Sequence, residues 1–125
     1  MPLRFVVLDH HGPKGDHWDL MLENGGTLTT WAIPPQTRSG PFTCCAVPLP
    51  DHRLAYLEYE GPISDNRGTV RQVDHGTYEA RESGLFHLSG SRFTGELFVE
   101  NMPDNRVMVR FVPESDPGEN VSIPQ

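Results

Sequence analysis

Three things are missing from this chain of 125 residues: long apolar runs, helical periodicity and a cysteine framework. Its two cysteines, Cys44 and Cys45, are adjacent, and neighbouring cysteines rarely reach disulfide geometry, so no disulfide scaffold is expected to hold the fold. That usage fits a reducing compartment and predicts a cytoplasmic protein. The segment Met1-Pro2-Leu3-Arg4 meets a charge at once and runs into Phe5-Val6-Val7-Leu8, too short an apolar stretch for a signal peptide or a membrane span. No membrane partner is expected. No window shows apolar residues at i, i+3, i+4 and i+7 over a dozen positions, and no internal repeat is visible, so helix should be scarce. Basic charge is short as well. Lys and Arg number 10 against 17 Asp and Glu, a formal charge of −7. A protein that coats nucleic acid non-specifically depends on phosphate attraction and is excluded by that balance, although a locally basic cleft is not.

What the chain does contain is punctuation. It has 12 Pro and 12 Gly, spread so that apolar and β-branched residues fall into short runs separated by Gly, Pro, Asn and Asp. Strands are predicted over 4–8, 17–23, 27–32, 42–47, 54–59, 69–73, 77–80, 85–89, 93–100 and 106–112, with turns at 24–26, 74–76, 89–91 and 103–105. This pattern predicts an all-β fold, a small antiparallel β-barrel of about eight strands with little helix, in which closure leaves few free edges. A single domain over 1–112 fits the length, and 113–125, lacking any core-forming pattern, is predicted to be a mobile C-terminal tail. Trp18, Trp31, Phe86 and Phe98 are expected in the core, and His75 and His87 in structural roles. Longer connections at 12–16, 34–41 and 60–68 are expected to border a site.

The chemistry concentrates in two places. His10-His11 is followed by His17-Trp18-Asp19, and later by His52 and Tyr56. On an extended 17–23, Trp18, Leu20 and Leu22 share one face and His17, Asp19, Met21 and Glu23 the other. The apolar face belongs to the core, which leaves His17 and Asp19 side by side, roughly 7 Å apart at Cα, able to converge on one ion. His10, at the end of the preceding strand, completes a two-His-one-carboxylate set, with His11 as the alternative ligand. Three protein donors leave open positions for water and a phosphate oxygen, as a catalytic metal requires. The donor set by itself suits Mn, Zn, Co or Ni. His52 and Tyr56 are four apart, so on the predicted strand 54–59 and its approach both should project from one face.

Phe5-Val6-Val7-Leu8-Asp9-His10-His11, His17-Trp18-Asp19-Leu20-Met21-Leu22-Glu23, Thr30-Trp31-Ala32-Ile33-Pro34, Asp51-His52-Arg53-Leu54-Ala55-Tyr56, Glu60-Gly61, Gly68-Thr69-Val70 and Asp74-His75-Gly76-Thr77-Tyr78-Glu79 resemble, in order and approximate spacing, the 3′-phosphoesterase domain of bacterial DNA ligase D and its stand-alone relatives. The resemblance implies a β-barrel enzyme, typically manganese-dependent, that heals DNA 3′ ends by removing a terminal ribonucleoside and then a 3′-phosphate. Carried over by position, it makes His10 rather than His11 a metal ligand together with His17 and Asp19, places His52 and Tyr56 at the scissile phosphate, and gives Glu23 a structural or supporting role behind the metal. Nucleic-acid 3′ ends and a separate DNA ligase are the partners it suggests.

Two positions depart from the family pattern. Met21 stands where the family has an arginine, and a second family arginine falls near Cys44. Neither a thioether nor a thiol replaces a guanidinium at a phosphate. Lys14, Arg38, Arg53 and Arg71 are the candidate phosphate-contacting replacements. Two readings therefore compete with an active 3′-end phosphoesterase: a catalytically weakened relative that binds metal and a nucleic-acid end or repair partner, and a phosphoesterase for small phosphate esters.

Overall fold

The computed structural model describes residues 2–36 and 40–114. Nine strands follow in order: β1 (Leu3–Gly12), β2 (Gly15–Asn24), β3 (Thr27–Ile33), β4 (Phe42–Arg53), β5 (Gly61–Pro62), β6 (Thr69–Glu82), β7 (Leu85–Gly90), β8 (Thr94–Asn101) and β9 (Val107–Pro113). Eight of them close an antiparallel barrel in the order β1-β2-β3-β4-β9-β8-β7-β6, with β6 pairing back onto β1, and β5 adds a short edge to β6. Two 3₁₀ turns, Leu54–Leu57 and Pro103–Asn105, are the helical elements among the described residues. None of the helices is long and apolar enough to cross a membrane.

Two apolar clusters form on opposite faces of the same sheet. The larger takes Phe5 and Val7, Trp18, Leu20 and Leu22, Ile33, Ala46, Tyr78, Leu88, Leu97, and Val107, Val109 and Phe111, so every barrel strand contributes to the interior. The smaller lies outside the barrel wall. Val6 and Leu8 of β1, Met21 of β2, Leu28 of β3 and Val70 of β6 are covered there by Leu57, with Leu54, Tyr56 and Ile63 packed at its edge. The face of β2 that alternation marked as polar is thus an external apolar platform over half its length, and Met21 is 1% exposed within it.

That platform explains the main departures from the predicted elements. Residues 54–59 form no strand. In a 3₁₀ turn side chains at i and i+3 lie on the same side, so Leu54 and Leu57 both reach the outer cluster. The predicted strands 69–73 and 77–80 are one continuous strand, β6, with a bulge opposite Val7 and Leu8. Asp74 lies inside that strand, where its carboxylate accepts the backbone N–H groups of Ser91, Arg92 and Phe93 at 2.8–3.0 Å. Gly90 makes room for it: a Cβ there would lie 2.4 Å from Asp74 Oδ2 and 2.7 Å from the Phe5 ring. The 12–16 connection is a tight hairpin with Gly12 opposite Gly15 and Lys14 at its tip. Phe98 faces outward, with the Arg110 guanidinium 4.0 Å over its ring, while Trp18 is buried in the interior and Trp31 and Phe86 pack against it. Strand β9 continues through Pro113, and Glu114 follows it with its N–H on the Thr94 carbonyl; residues 115–125 lie outside the described residues.

Cys44 and Cys45 alternate across β4. Cys44 packs against the interior cluster, and burial, reinforced by neighbouring Cys45, pushes its thiol up to about 11; Cys45 is exposed. Because the thiolate is the nucleophile, iodoacetamide at pH 8 should modify Cys45 alone in the folded protein and both cysteines after unfolding, as read by intact mass. Rapid double labelling under native conditions would contradict this placement.

Candidate active site

The antiparallel pairing of β1 with β2 sets His10 directly opposite His17, and Asp19 opposite Leu8. All three ligand-capable side chains rise from the outer face, where the apolar platform ends. One donor atom from each of His10, His17 and Asp19 lies within 4.8 Å of the others. The imidazole centroids are 4.7 Å apart. Asp19 is buried, with one carboxylate oxygen 2.9 Å from His17 Nε2 and the other 3.2 Å from His10 Nδ1.

The donor chemistry fits a cation. His10 Nε2–H donates to the Arg67 carbonyl at 2.8 Å, and a carbonyl can only accept, so in the neutral ring Nδ1 carries a bare lone pair toward Asp19 Oδ2. Two lone pairs 3.2 Å apart beside a buried carboxylate are relieved only by a proton or a metal ion. A backbone carbonyl behind the distal nitrogen is also how ligating histidines are commonly oriented. His10, His17 and Asp19 are therefore the residues that would hold a divalent ion.

His11 points to the other side of β1. Its Nε2 meets Asp9 at 3.0 Å and its Nδ1 meets Asp16 at 2.9 Å. Asp9, and then Asp16, hold its pKa above the usual histidine value, favouring the protonated ring, which has no lone pair to offer. Glu23 lies at the far end of β2. Its carboxylate accepts the Arg4 N–H at 3.0 Å, and its carbonyl accepts the Tyr78 hydroxyl at 2.6 Å. These are structural contacts between strands rather than support for the metal-ligand set.

A cavity of about 340 Å³ opens beside the cluster, and His10, Asp19, Met21, His52, Tyr56 and Arg53 are among the residues that line it. His52, near the end of β4 and opposite Leu28, and Tyr56, on the 3₁₀ turn, meet edge to face at 5.5 Å. They come together through the turn of the chain after β4, not along an extended strand. His52 Nδ1–H donates to the Pro50 carbonyl at 2.9 Å, which leaves Nε2 for a ligand.

The candidate phosphate-contacting cations are scattered. Arg53 lines the cavity; Lys14 stands at the hairpin tip; Arg71 borders a separate cleft with Asp9 and His11; Arg38 lies outside the described residues. Cys44 faces the barrel interior, so its side chain offers no replacement at the cavity. Arg67, carried on the 60–68 connection that was expected to border a site, was not among the candidate phosphate contacts. It joins the cavity lining from the β5–β6 connection, and its carbonyl orients His10. The predicted long loop at 60–68 was the available signal, since its tip had to lie near the site.

Comparison with known proteins agrees with this architecture. The family model described as the DNA ligase D 3′-phosphoesterase domain matches residues 9–112. The multifunctional non-homologous end joining DNA repair protein LigD of Mycobacterium tuberculosis is 34% identical over 113 residues, covering 86% of this chain and 14% of that protein. The multifunctional non-homologous end joining protein LigD of Pseudomonas aeruginosa is 33% identical over 106 residues, covering 74% of this chain and 12% of its own length. The chain thus spans about one seventh of these relatives or less. With a closed barrel, a His-His-Asp cluster and a family match over most of its length, the chain belongs to the family of DNA ligase D 3′-phosphoesterase domains.

Proposed function

We propose that the protein is a metal-dependent phosphoesterase that processes nucleic-acid 3′ ends in DNA repair, removing a 3′-terminal ribonucleoside or a 3′-phosphate. The observation that carries this reading is the shared cavity: His10 and Asp19 of the ligand set line it together with His52, Tyr56 and Arg53. His10, His17 and Asp19 would hold a divalent ion, manganese by family resemblance, which when bound would supply Lewis acidity toward a phosphoryl oxygen and toward water.

The chain's own groups do the rest. His52 Nδ1–H is committed to Pro50, so its contact with phosphate is made through Nε2, which donates only when the ring carries its second proton. In that state His52 binds a phosphate oxygen and can protonate the departing alkoxide. The Tyr56 hydroxyl orients a second oxygen, with its ring braced between His52 and Tyr59, the latter at 5.9 Å. Arg53 adds charge at the rim. Removal of a terminal ribonucleoside leaves a 3′-phosphate, and removal of that phosphate leaves a 3′-hydroxyl, the end that a DNA ligase requires, which makes a separate ligase a natural partner.

A second reading, a weakened relative that binds metal and an end without turnover, has one specific observation in its favour: Met21 lines the cavity where the family carries an arginine, and it is packed into the outer apolar cluster. A primer ending in a 3′-phosphate and bis(p-nitrophenyl) phosphate, each incubated with manganese or with chelator, separate the readings. The primer should lose its phosphate only with metal. Cleavage of the small ester alone would point to a small-molecule phosphoesterase, and cleavage of neither, with metal still bound, to the weakened relative.

A further inference from the structure

The cavity lacks the guanidinium that Met21 displaces, yet a second cation is built into its wall. Among the arginines of the described residues, Arg53 and Arg67 line the cavity that holds His10, Asp19, His52 and Tyr56. Arg67 is the one whose position is set. Its Nε–H donates to the Ser64 carbonyl at 2.9 Å and an Nη2–H donates to Ser64 Oγ at 3.2 Å. A guanidinium has five N–H donors, so most remain for a ligand once Ser64 has taken its two.

The loop that carries Arg67 is tightly determined. Ile63 N–H donates to the Gly68 carbonyl at 2.8 Å, Asp65 and Asn66 take left-handed φ of 62° and 58°, and Gly68 takes φ of 100°. A Cβ on Gly68 would lie 2.0 Å from the His11 carbonyl oxygen, so the loop can press onto the end of β1 only with glycine there. That contact brings the Arg67 carbonyl to His10 Nε2 at 2.8 Å. One residue thus touches the candidate metal site with its backbone carbonyl and is among the residues that line the cavity, while its guanidinium is anchored on Ser64.

We infer that Arg67 is the phosphate-binding arginine of this chain, supplied by the β5–β6 loop in place of the one missing at Met21. The inference deepens the proposed function and rests on it for the nature of the ligand, a phosphate ester. A guanidinium already held by Ser64 loses little conformational freedom on binding and presents its remaining donors as a fork, whereas a lysine at the same place would offer only a point charge. Arg67 also makes phosphate affinity separable from metal affinity, because the His10 contact uses the main chain and survives any change of the side chain.

The experiment uses the whole chain. Arg67→Met and Arg67→Lys are titrated with manganese alone, and the manganese-loaded proteins with inorganic phosphate and with a 3′-phosphorylated oligonucleotide, by calorimetry. Manganese affinity should stay within about twofold of the parent protein. Phosphate affinity should fall about 10- to 100-fold in Arg67→Met, as expected for a lost charged hydrogen-bond donor, with partial recovery in Arg67→Lys. Guanidinium ion added to Arg67→Ala should restore part of the loss. Unchanged phosphate affinity in Arg67→Met overturns the inference, as does a parallel loss of manganese binding, which would mark a purely structural residue. Phosphate binding that depends on Arg67, in a protein that cleaves no 3′ end, upholds the inference while removing the reading of an active enzyme.

Discussion

Replacing Asp19 by alanine is expected to lower divalent-metal affinity by about 100-fold or more and to remove metal-dependent turnover, while the barrel stays folded. Asp19 is the centre of the cluster: each of its oxygens faces a different imidazole, at 2.9 and 3.2 Å, and its side chain is 3% exposed. Without it, His10 and His17 remain 4.7 Å apart at their centroids, but the negative charge that draws a dication to the site is gone. His17→Ala should behave in the same direction, since it removes one of three donors. His11→Ala is the informative control. His11 points away and pairs with Asp9 and Asp16, so its loss should leave manganese affinity unchanged. Calorimetric titration of the three variants with manganese, alongside circular dichroism, checks the assignment. A metal affinity in Asp19→Ala equal to that of the parent would eliminate the site.

Replacing Asp74 by alanine is expected to be among the most damaging single changes to stability, costing about 3–5 kcal/mol and lowering Tm on the order of 10–20 °C. The carboxylate is 3% exposed and satisfies three consecutive backbone N–H groups, those of Ser91, Arg92 and Phe93. Removing it strands those donors where the chain passes from β7 to β8 and where Phe93 enters the interior cluster. Asp74→Asn should fall between, because the amide retains one acceptor but turns N–H toward N–H on its other side. Thermal or urea unfolding followed by circular dichroism reads both variants. A loss below about 1 kcal/mol in Asp74→Ala would show that water replaces the carboxylate at no cost. Since Asp74 lies away from the cavity residues, metal affinity measured well below Tm should not change.

Asp74 also illustrates where sequence reasoning stops. Asp-His-Gly is a turn signal because Asp and Gly tolerate turn conformations. Here the strand continues through all three residues; the aspartate is present to hold a different turn, and the glycines are needed because β6 and β7 come too close for a Cβ at Gly76 or Gly90. The residue types were right and their reason was not local. The 3₁₀ turn at Leu54–Leu57 is a similar case. A run of leucines and a tyrosine reads equally as a strand, and only the platform of Val6, Leu8, Met21 and Leu28 beneath it selects the tighter form.

The alternation of β2 was legible because period-two geometry is local: it placed His17 and Asp19 on one face, and with the spacing of strands and turns it foretold an all-β barrel. The ordered motifs identified the family resemblance and, with it, the choice of His10 over His11. Closure of the barrel, by contrast, depends on β6 returning to β1 across some sixty residues of chain, and no periodicity encodes such pairing. The same long-range packing decided the character of the site. It covered the presumed polar face with the 54–63 segment, buried Met21 beneath it, set Tyr56 against His52 through a helical turn, and brought Arg67 from a distant loop to the His10 ring. The metal-capable half of the site is built from two adjacent strands joined by a hairpin and can be read from spacing. The half proposed to bind phosphate is assembled from segments far apart in the chain, and tertiary contacts alone determine which arginines line it.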